Sequence, residues 1–260
     1  MTWVIGRAGP FGYAVGLSDV RVTLSDGTER DCLQKIYNIG PHLAIGFAGS
    51  VRIGFEVINQ LSAALRPPQQ GMAWIPQVFA ENLPQDTKEL FRAFPEVERR
   101  LGLQLLLLSA HPTENDGDAP WAKCYVYRFS APEFEPKIAH PAQIVSIGSG
   151  SKVNNYMNAL HKLDDDFDLF QLQVGSRDGA ALGLMMSISN ELKKFPVQGI
   201  SDHLHICTVG RDGIRIGKND IQTYGTVENR FTMPPVATNL EELRFLLANT
   251  TKTSIDQARC

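Results

Sequence analysis

Short apolar segments bounded by glycine-containing turns fill the first fifty residues and predict β-strands. The strands are predicted at 2–6, 13–18, 34–38 and 43–48. A turn over 7–12 and two further turns, at Asp26-Gly27 and at Gly40-Pro41, connect these segments closely. Close connections of this kind favour antiparallel hairpins.

The apolar period changes after Val51, where large side chains recur on one helical face: Ile53, Val57, Ile58, Leu61 and Leu65. This pattern predicts a helix that ends before Pro67-Pro68, because proline cannot continue helical hydrogen bonding. Further helices are predicted over a stretch that includes 88–101, and at 153–163, 179–192 and 240–248. Further strands are predicted at 103–109, 123–130, 142–147, 204–209 and 213–216.

The segment 103–109 is almost entirely apolar, so we expect it to be buried on both faces. Blocks of antiparallel strands separated by helix pairs predict an α+β fold. The layered form of this fold is a four-layer αββα sandwich, in which helices cover both outer faces of two stacked antiparallel sheets. We expect one domain over 1–260, with a C-terminal extension from about 217.

Composition and charge narrow the class of protein. A chain of 260 residues with 43% hydrophobic content supports a full core. Its net charge of -3 gives no reason to expect nucleic acid or a membrane as a partner. No apolar stretch approaches the roughly 20 residues that span a bilayer, and the start of the chain lacks a signal-peptide pattern. We therefore expect a cytoplasmic location.

Metal and cofactor chemistry is not indicated. Four cysteines are scattered without metal-binding or disulfide spacing: Cys32, Cys124, Cys207 and Cys260. His203 and His205 fall on one strand face, but no third ligand follows at a suitable spacing. Asp164 to Asp168 form an acidic loop without the glycine and glutamate of a calcium loop. We expect free thiols in a reducing compartment, no cofactor and no metal.

Thr2 is the candidate nucleophile. It follows Met1, and an initiator methionine is commonly removed before a residue of this size. Removal would place a hydroxyl and a free α-amine on one residue, and an amine with a pKa of about 7.7 to 8.0 can take the hydroxyl proton. Threonine activated by its own amine is an established nucleophile. Since many proteins begin with Met-Thr, this interpretation requires supporting residues elsewhere.

Three later features supply that support. A D-x-R-x-T segment begins at Asp19, a lysine follows at Lys35, and a G-F-A-G turn that begins at Gly46 opens the first long helix. Asp19 lies 17 residues after Thr2, and Lys35 lies 16 residues after Asp19. This order and near-spacing resemble those of proteasome β-type subunits and bacterial proteasome-like N-terminal-nucleophile (Ntn) hydrolases. The first interval is one residue longer than in that family, and the turn over 7–12 accommodates the extra residue.

The resemblance implies a role for each residue. Lys35 would be a fixed cation beside the Thr2 hydroxyl, and Asp19 would orient that ammonium. The backbone N–H of Gly46 would stabilise the oxyanion, and the backbone of Thr23 would pair with an extended substrate. Taken singly, each residue is equally compatible with an ordinary ion pair, strand position or helix-entry glycine.

The resemblance extends less strongly into the rest of the chain. Ser149, in a G-S-G segment, would lie near the amine of Thr2 and help to relay its proton. Ala44 and Ala48 would line the pocket for the residue that precedes the cut. The family's later D-S-x-S-G segment has no clear counterpart, so whether Ser201 or Asp202 completes the site stays open.

The function that the resemblance implies is a threonine-type peptidase that acts on peptides or unfolded proteins within a homo-oligomeric ring. An ATPase partner is conceivable in such a family but has no signature in this sequence. Two alternatives stay open. One is a catalytically silent ring or scaffold subunit of the same fold, and the other is an Ntn amidohydrolase that acts on a small amide.

Overall fold

A computed structural model describes residues 2–9, 11–65, 75–140, 143–163, 177–218 and 233–257. Several features considered above lie outside these residues: Met1, the Pro67-Pro68 stop, the acidic loop from Asp164 to Asp168, and Cys260. The described residues carry an α+β fold with three antiparallel sheets. The predicted α+β class is therefore confirmed.

The strands are β1 (Trp3–Ala8), β2 (Tyr13–Asp19), β3 (Arg21–Thr23), β4 (Glu29–Asp31), β5 (Ile36–Gly40), β6 (Leu43–Gly49), β7 (Leu103–Asn115), β8 (Ala122–Ser130), β9 (Lys137–Ile138), β10 (Val145–Gly148), β11 (Leu204–Gly210) and β12 (Gly213–Lys218). Nine of the strands correspond to predicted ones, whereas β3, β4 and β9 were not predicted. The helices are α1 (Val51–Ala64), α2 (Pro76–Ala93), α3 (Glu96–Arg99), α4 (154–163), α5 (Arg177–Lys194) and α6 (Leu240–Gln257). A 3-10 turn spans Ser149–Lys152.

One predicted helix is wrong in its extent. The stretch 88–101 is divided between α2, which ends at Ala93, and the short α3. Phe94 adopts an extended conformation directly before Pro95, because proline disfavours a helical conformation in the residue that precedes it. By contrast, α1 begins where the sequence predicts, since the Ser50 hydroxyl caps the N–H of Ile53.

Two five-stranded antiparallel sheets form the body of the fold. The first has the strand order β10-β1-β2-β11-β12, and the second has the order β5-β6-β7-β8-β9. The β3–β4 hairpin forms a separate two-stranded sheet. The first sheet places β1 between β10 and β2, so Trp3 at the start of β1 lies opposite Gly148 at the end of β10.

Side chains from both large sheets pack in one apolar cluster. Val4 of β1 joins Ile36, Leu106 and Leu108 of the second sheet there. Glycine makes the close approach possible, because a Cβ at Gly16 would lie 2.3 Å from Leu108 Cδ1. The prediction that 103–109 is buried on both faces is confirmed, with Leu105 to Leu108 fully buried.

The helices cover the other faces of the two sheets. Helices α1 and α2 pack on the second sheet through residues that include Ile53, Phe55 and Phe79. Helices α4 and α5 pack on the first sheet, where the Trp3 ring stacks on Tyr156 at a centroid distance of 4.6 Å. Within the described parts of the chain, every helix is too short or too polar to cross a bilayer.

Candidate functional site

Thr2 lies directly before β1 and contacts the turn that follows β10. Its backbone N–H donates a 2.9 Å hydrogen bond to Ser149 Oγ. The Ser149 hydroxyl in turn donates to the Thr2 carbonyl oxygen at 3.2 Å, and the N–H of Gly150 donates to the same oxygen at 3.3 Å. Ser149, predicted to lie near the Thr2 amine, is thus bonded to that nitrogen.

Gly148 allows this close contact. Its φ of +87° favours glycine, and a Cβ there would lie 2.2 Å from the Thr2 carbonyl oxygen. The Gly148 N–H donates to Gln104 Oε1 at 2.8 Å, which connects the turn to β7 of the second sheet. Any side chain at this position would push Thr2 away from Ser149.

Asp19 and Lys35 form a fully buried ion pair next to Thr2. Lys35 Nζ lies 2.9 Å from Asp19 Oδ1, and the two side chains are 1% and 0% exposed. The same Oδ1 accepts the backbone N–H of Trp3 at 2.7 Å. One carboxylate oxygen therefore holds both the lysine ammonium and the peptide group that follows Thr2.

The Arg21 main chain completes the surroundings of this pair. The Arg21 carbonyl oxygen accepts a 2.6 Å hydrogen bond from Lys35 Nζ, and its N–H donates to Asp19 Oδ2 at 3.1 Å. Burial lowers the pKa of Lys35 below its usual value, and the charge of Asp19 opposes that shift. The ammonium thus stays paired in a site where an isolated charge would be costly.

A second polar cluster adjoins this pair and was not predicted from the sequence. Asp31 Oδ1 accepts from Arg21 Nε at 2.6 Å, while Asp31 Oδ2 accepts from the Ser201 hydroxyl at 2.6 Å and lies 3.1 Å from His203 Nδ1. Burial alone would raise the pKa of Asp31, but hydrogen bonds from Arg21 and Ser201 outweigh it and lower the pKa. Asp31 is therefore held as a carboxylate.

Ser201 and Asp202, whose roles the sequence left open, both have contacts in this cluster. Ser201 is fully buried and contacts Asp31, and Asp202 Oδ1 lies 3.6 Å from His203 Nδ1. Ser201, Asp31 and His203 are not arranged as a hydrolytic triad, because the serine contacts the carboxylate itself and shares a single imidazole nitrogen with it. The cluster instead supports Arg21. The register of the β3–β4 hairpin places Arg21 opposite Asp31, which accounts for the contact between these two residues.

Gly46 lies within β6, opposite Ile36 of β5 and Leu106 of β7. A Cβ at this position would come within 2.7 Å of Val4 Cγ1 and 3.3 Å of Ile36 Cγ1. Val4 belongs to β1, two residues after Thr2. The absence of a side chain at Gly46 therefore lets β1 lie against β6 near the start of the chain.

A cleft of about 700 Å³ extends from Thr2. Four of the predicted site residues line it: Thr2, Thr23, Ala48 and Ser149. Asp19, Lys35 and Gly46 are buried and lie outside its lining. Ala44 also lies outside the lining, because it is four residues deeper in β6 than Ala48 and packs between the sheets. The assignment of Ala44 to the substrate pocket stays a prediction.

Comparison with known proteins does not identify the chain. No model of a protein family matches it, and no curated protein matches it.

Proposed function

We propose that this protein is an N-terminal threonine peptidase of the proteasome type, in which Thr2 becomes the nucleophile after Met1 is removed. One observation carries the proposal. Ser149 Oγ bonds the Thr2 nitrogen at 2.9 Å, while Asp19 Oδ1 holds both the next peptide N–H and the Lys35 ammonium. The nitrogen that would become the free amine, a relay hydroxyl and a buried ion pair bonded to the next peptide group therefore lie close together beside a cleft.

The reaction begins with transfer of the Thr2 hydroxyl proton to the α-amine. That amine has an ordinary pKa of about 7.7 to 8.0, which suits a general base near neutral pH. The hydroxyl oxygen then attacks the substrate carbonyl carbon, and the amine returns the proton to the departing nitrogen as the C–N bond breaks. Water hydrolyses the resulting ester and regenerates Thr2. Ser149 Oγ, in contact with the amine nitrogen, assists each proton transfer.

Charge stabilisation comes from two groups in this proposal. The Lys35 ammonium favours the anionic form of the Thr2 oxygen, and Asp19 and the Arg21 carbonyl fix the position of that ammonium. The resemblance assigns stabilisation of the tetrahedral oxyanion to the backbone N–H of Gly46, although Gly46 is buried within β6 and lies outside the cleft lining. Loss of one such donor costs about 10²- to 10³-fold in turnover in a well-characterised peptidase.

The proposal includes the architecture and assembly that the motifs imply. Apolar side chains of two sheets pack together and helices pack on their other faces, which supports a four-layer αββα sandwich of the Ntn hydrolase type. We propose a homo-oligomeric ring that takes peptides or unfolded protein chains. The support for the ring is the resemblance of the motifs at Thr2, Asp19, Lys35 and Gly46.

The test is intact mass spectrometry of the purified full chain before and after incubation with a threonine-directed epoxyketone. We expect a mass that lacks Met1 and then a single adduct, which peptide mapping places on Thr2. The variant Thr2→Ala should give no adduct and no peptide hydrolysis while keeping the same oligomeric state. Thr28→Ala, the same change in a turn outside the cleft, should leave both unchanged.

Other outcomes would favour the alternatives. Retained Met1 without an adduct contradicts the peptidase proposal and favours a silent subunit, because a blocked amine cannot act as the base. Removal of Met1 and adduct formation, without cleavage of any peptide in a mixed library, favours an amidohydrolase that acts on small amides.

A further inference from the structure

The first helix residues of the C-terminal segment take part in the candidate cleft. Leu240 and Leu243 of α6 line the cleft that also contains Thr2, although nearly 240 residues separate them in the sequence. Leu243 is 5% exposed and belongs to the same apolar cluster as Val22 and Leu103, which also line the cleft. The resemblance of the early motifs assigns no role to this segment.

The segment before α6 is held in place next to Lys35. Ala237 forms a parallel bridge with Leu33, in which its N–H donates to the Cys32 carbonyl at 2.8 Å and its carbonyl accepts from the Gln34 N–H at 3.0 Å. The bridged residues connect Asp31 to Lys35 along the chain. The C-terminal segment is thus attached to the part of the chain that carries the buried ion pair.

Side-chain hydrogen bonds also cap the N-terminus of α6. Glu242 accepts hydrogen bonds from the N–H and the hydroxyl of Thr238, at 2.7 and 2.8 Å. The N–H of Glu242 donates to Asn239 Oδ1 at 2.9 Å. This reciprocal arrangement fixes the entry of the helix. Leu240 and Leu243 therefore form a fixed wall of the cleft.

The remaining lining shows which chemistry fits against that wall. Val22, Leu24 and Leu103 add apolar side chains, and Leu101, which also lines the cleft, is 65% exposed. Two of the charged lining residues pair with each other, since Arg52 Nη1 lies 3.9 Å from Glu98 Oε1. Glu98 also accepts from the Ser50 hydroxyl at 3.0 Å. The third charged lining residue, Lys152, is exposed in the turn that begins at Ser149.

We propose that Leu240 and Leu243 are specificity-determining residues, which select peptides with a large apolar side chain at the residue whose carbonyl Thr2 attacks. This inference rests on the proposed peptidase function. A leucine or phenylalanine side chain would be removed from water against α6, whereas a carboxylate would lose its hydration there. Differences of this kind give about 10- to 100-fold selectivity.

The first experiment measures binding without catalysis. Fluorescein-labelled tetrapeptide amides with three alanines and a final leucine or glutamate are titrated against full-chain Thr2→Ala protein, with fluorescence anisotropy as the signal. We expect the leucine peptide to bind at least about tenfold more tightly. Adding Leu240→Lys should reduce this ratio by about tenfold or invert it, because it places a cation on the apolar wall.

Leu247→Lys is the matched control. It makes the same change seven residues later in α6, at a partly buried residue that packs on the core and lies outside the cleft lining. It should leave the binding ratio within about twofold of the parent. Circular dichroism melting of each variant identifies any loss of folding. Leu240→Ala is a milder change, which should weaken binding of the leucine peptide and leave binding of the glutamate peptide unchanged.

The second experiment measures hydrolysis of aminocoumarin amides of the two peptides by the protein with Thr2 intact. Equal binding of both peptides, tighter binding of the glutamate peptide through Lys152, or equal effects of Leu240→Lys and Leu247→Lys would overturn the specificity assignment. A leucine preference in binding without hydrolysis of either amide would instead contradict the peptidase function and leave the assignment of the wall standing. Hydrolysis of both amides without a preference for leucine would support the peptidase function and contradict the specificity assignment.

Discussion

Removing the charge of Asp19 should lower the free energy of unfolding far more than removing the charge of a surface carboxylate. Asp19 accepts three hydrogen bonds, from Lys35 Nζ, the Trp3 N–H and the Arg21 N–H, and it is fully buried. In Asp19→Asn the amide oxygen can face Lys35 and Trp3, but the amide N–H₂ group then faces the Arg21 N–H, another donor. The Lys35 ammonium would also lose its counter-charge in a site without solvent.

The expected cost follows from that geometry. Removing one partner of a buried pair costs about 3 to 5 kcal/mol, because the other charge stays buried and uncompensated. Lys35→Met, which removes the ammonium and keeps much of the volume, leaves Asp19 with two main-chain donors and should cost less, about 2 to 3 kcal/mol. In the double variant no charge is left unpaired, so the loss should be smaller than the sum of the two by about 1 to 3 kcal/mol.

The assay is urea unfolding of each variant, followed by far-ultraviolet circular dichroism at one protein concentration, since oligomer stability depends on concentration. Glu133→Gln is the matched control. It makes the same carboxylate-to-amide change in the Lys88–Glu133 pair, where Glu133 is 58% exposed, and should cost less than about 1 kcal/mol. A cost for Asp19→Asn as small as that of the control, or additive costs in the double variant, would refute the reasoning.

Two further predictions concern the candidate catalytic groups. Gly46→Ala should lower thermal stability by about 1 to 3 kcal/mol and reduce peptide hydrolysis, because the new methyl group would push Val4 and β1 away, whereas Gly40→Ala, with its nearest neighbour at 3.7 Å, should change neither. The pH dependence of kcat/KM should have an alkaline limb below the ordinary lysine pKa of about 10.4. Burial lowers the pKa of Lys35, so its charge is present at low pH and is lost as pH rises through the lowered value. In Lys35→Arg the guanidinium stays charged at high pH, so the alkaline limb should shift or disappear. An unchanged limb in this variant would assign the limb to another group.

Local patterns predicted most of the elements because their signals are local. Short apolar segments and tight turns located β1, β2, β5 and β6, and the helical period after Val51 located α1. The errors arose where a distant or neighbouring group decided the result. Pro95 ended α2 early, and the two-residue strand β9 is too short to produce a periodic pattern.

The candidate site likewise combines residues that local patterns predicted with contacts that local patterns did not predict. Thr2, Asp19, Lys35 and Gly46 were chosen from their order and spacing near the start of the chain, and Ser149 from a glycine-rich turn. The contacts of Asp31 with Ser201 and His203 depend on chain segments about 170 residues apart, and no local signal in the sequence points to them. The position of Ala44 between the sheets is likewise not specified locally, since depth within β6 depends on the packing of the opposite sheet.

The sequence by itself therefore determined the α+β class, most element positions and a set of chemically suitable residues, because these depend on neighbours within a few positions of each other. Only the tertiary structure decided that Asp19 Oδ1 is shared between Lys35 and the peptide after Thr2, and that Ser149 reaches the Thr2 nitrogen. It also decided that Leu240 and Leu243 form a wall of the same cleft. Such contacts join residues that are far apart in the chain, and they follow from how sheets and helices pack, which no local pattern specifies.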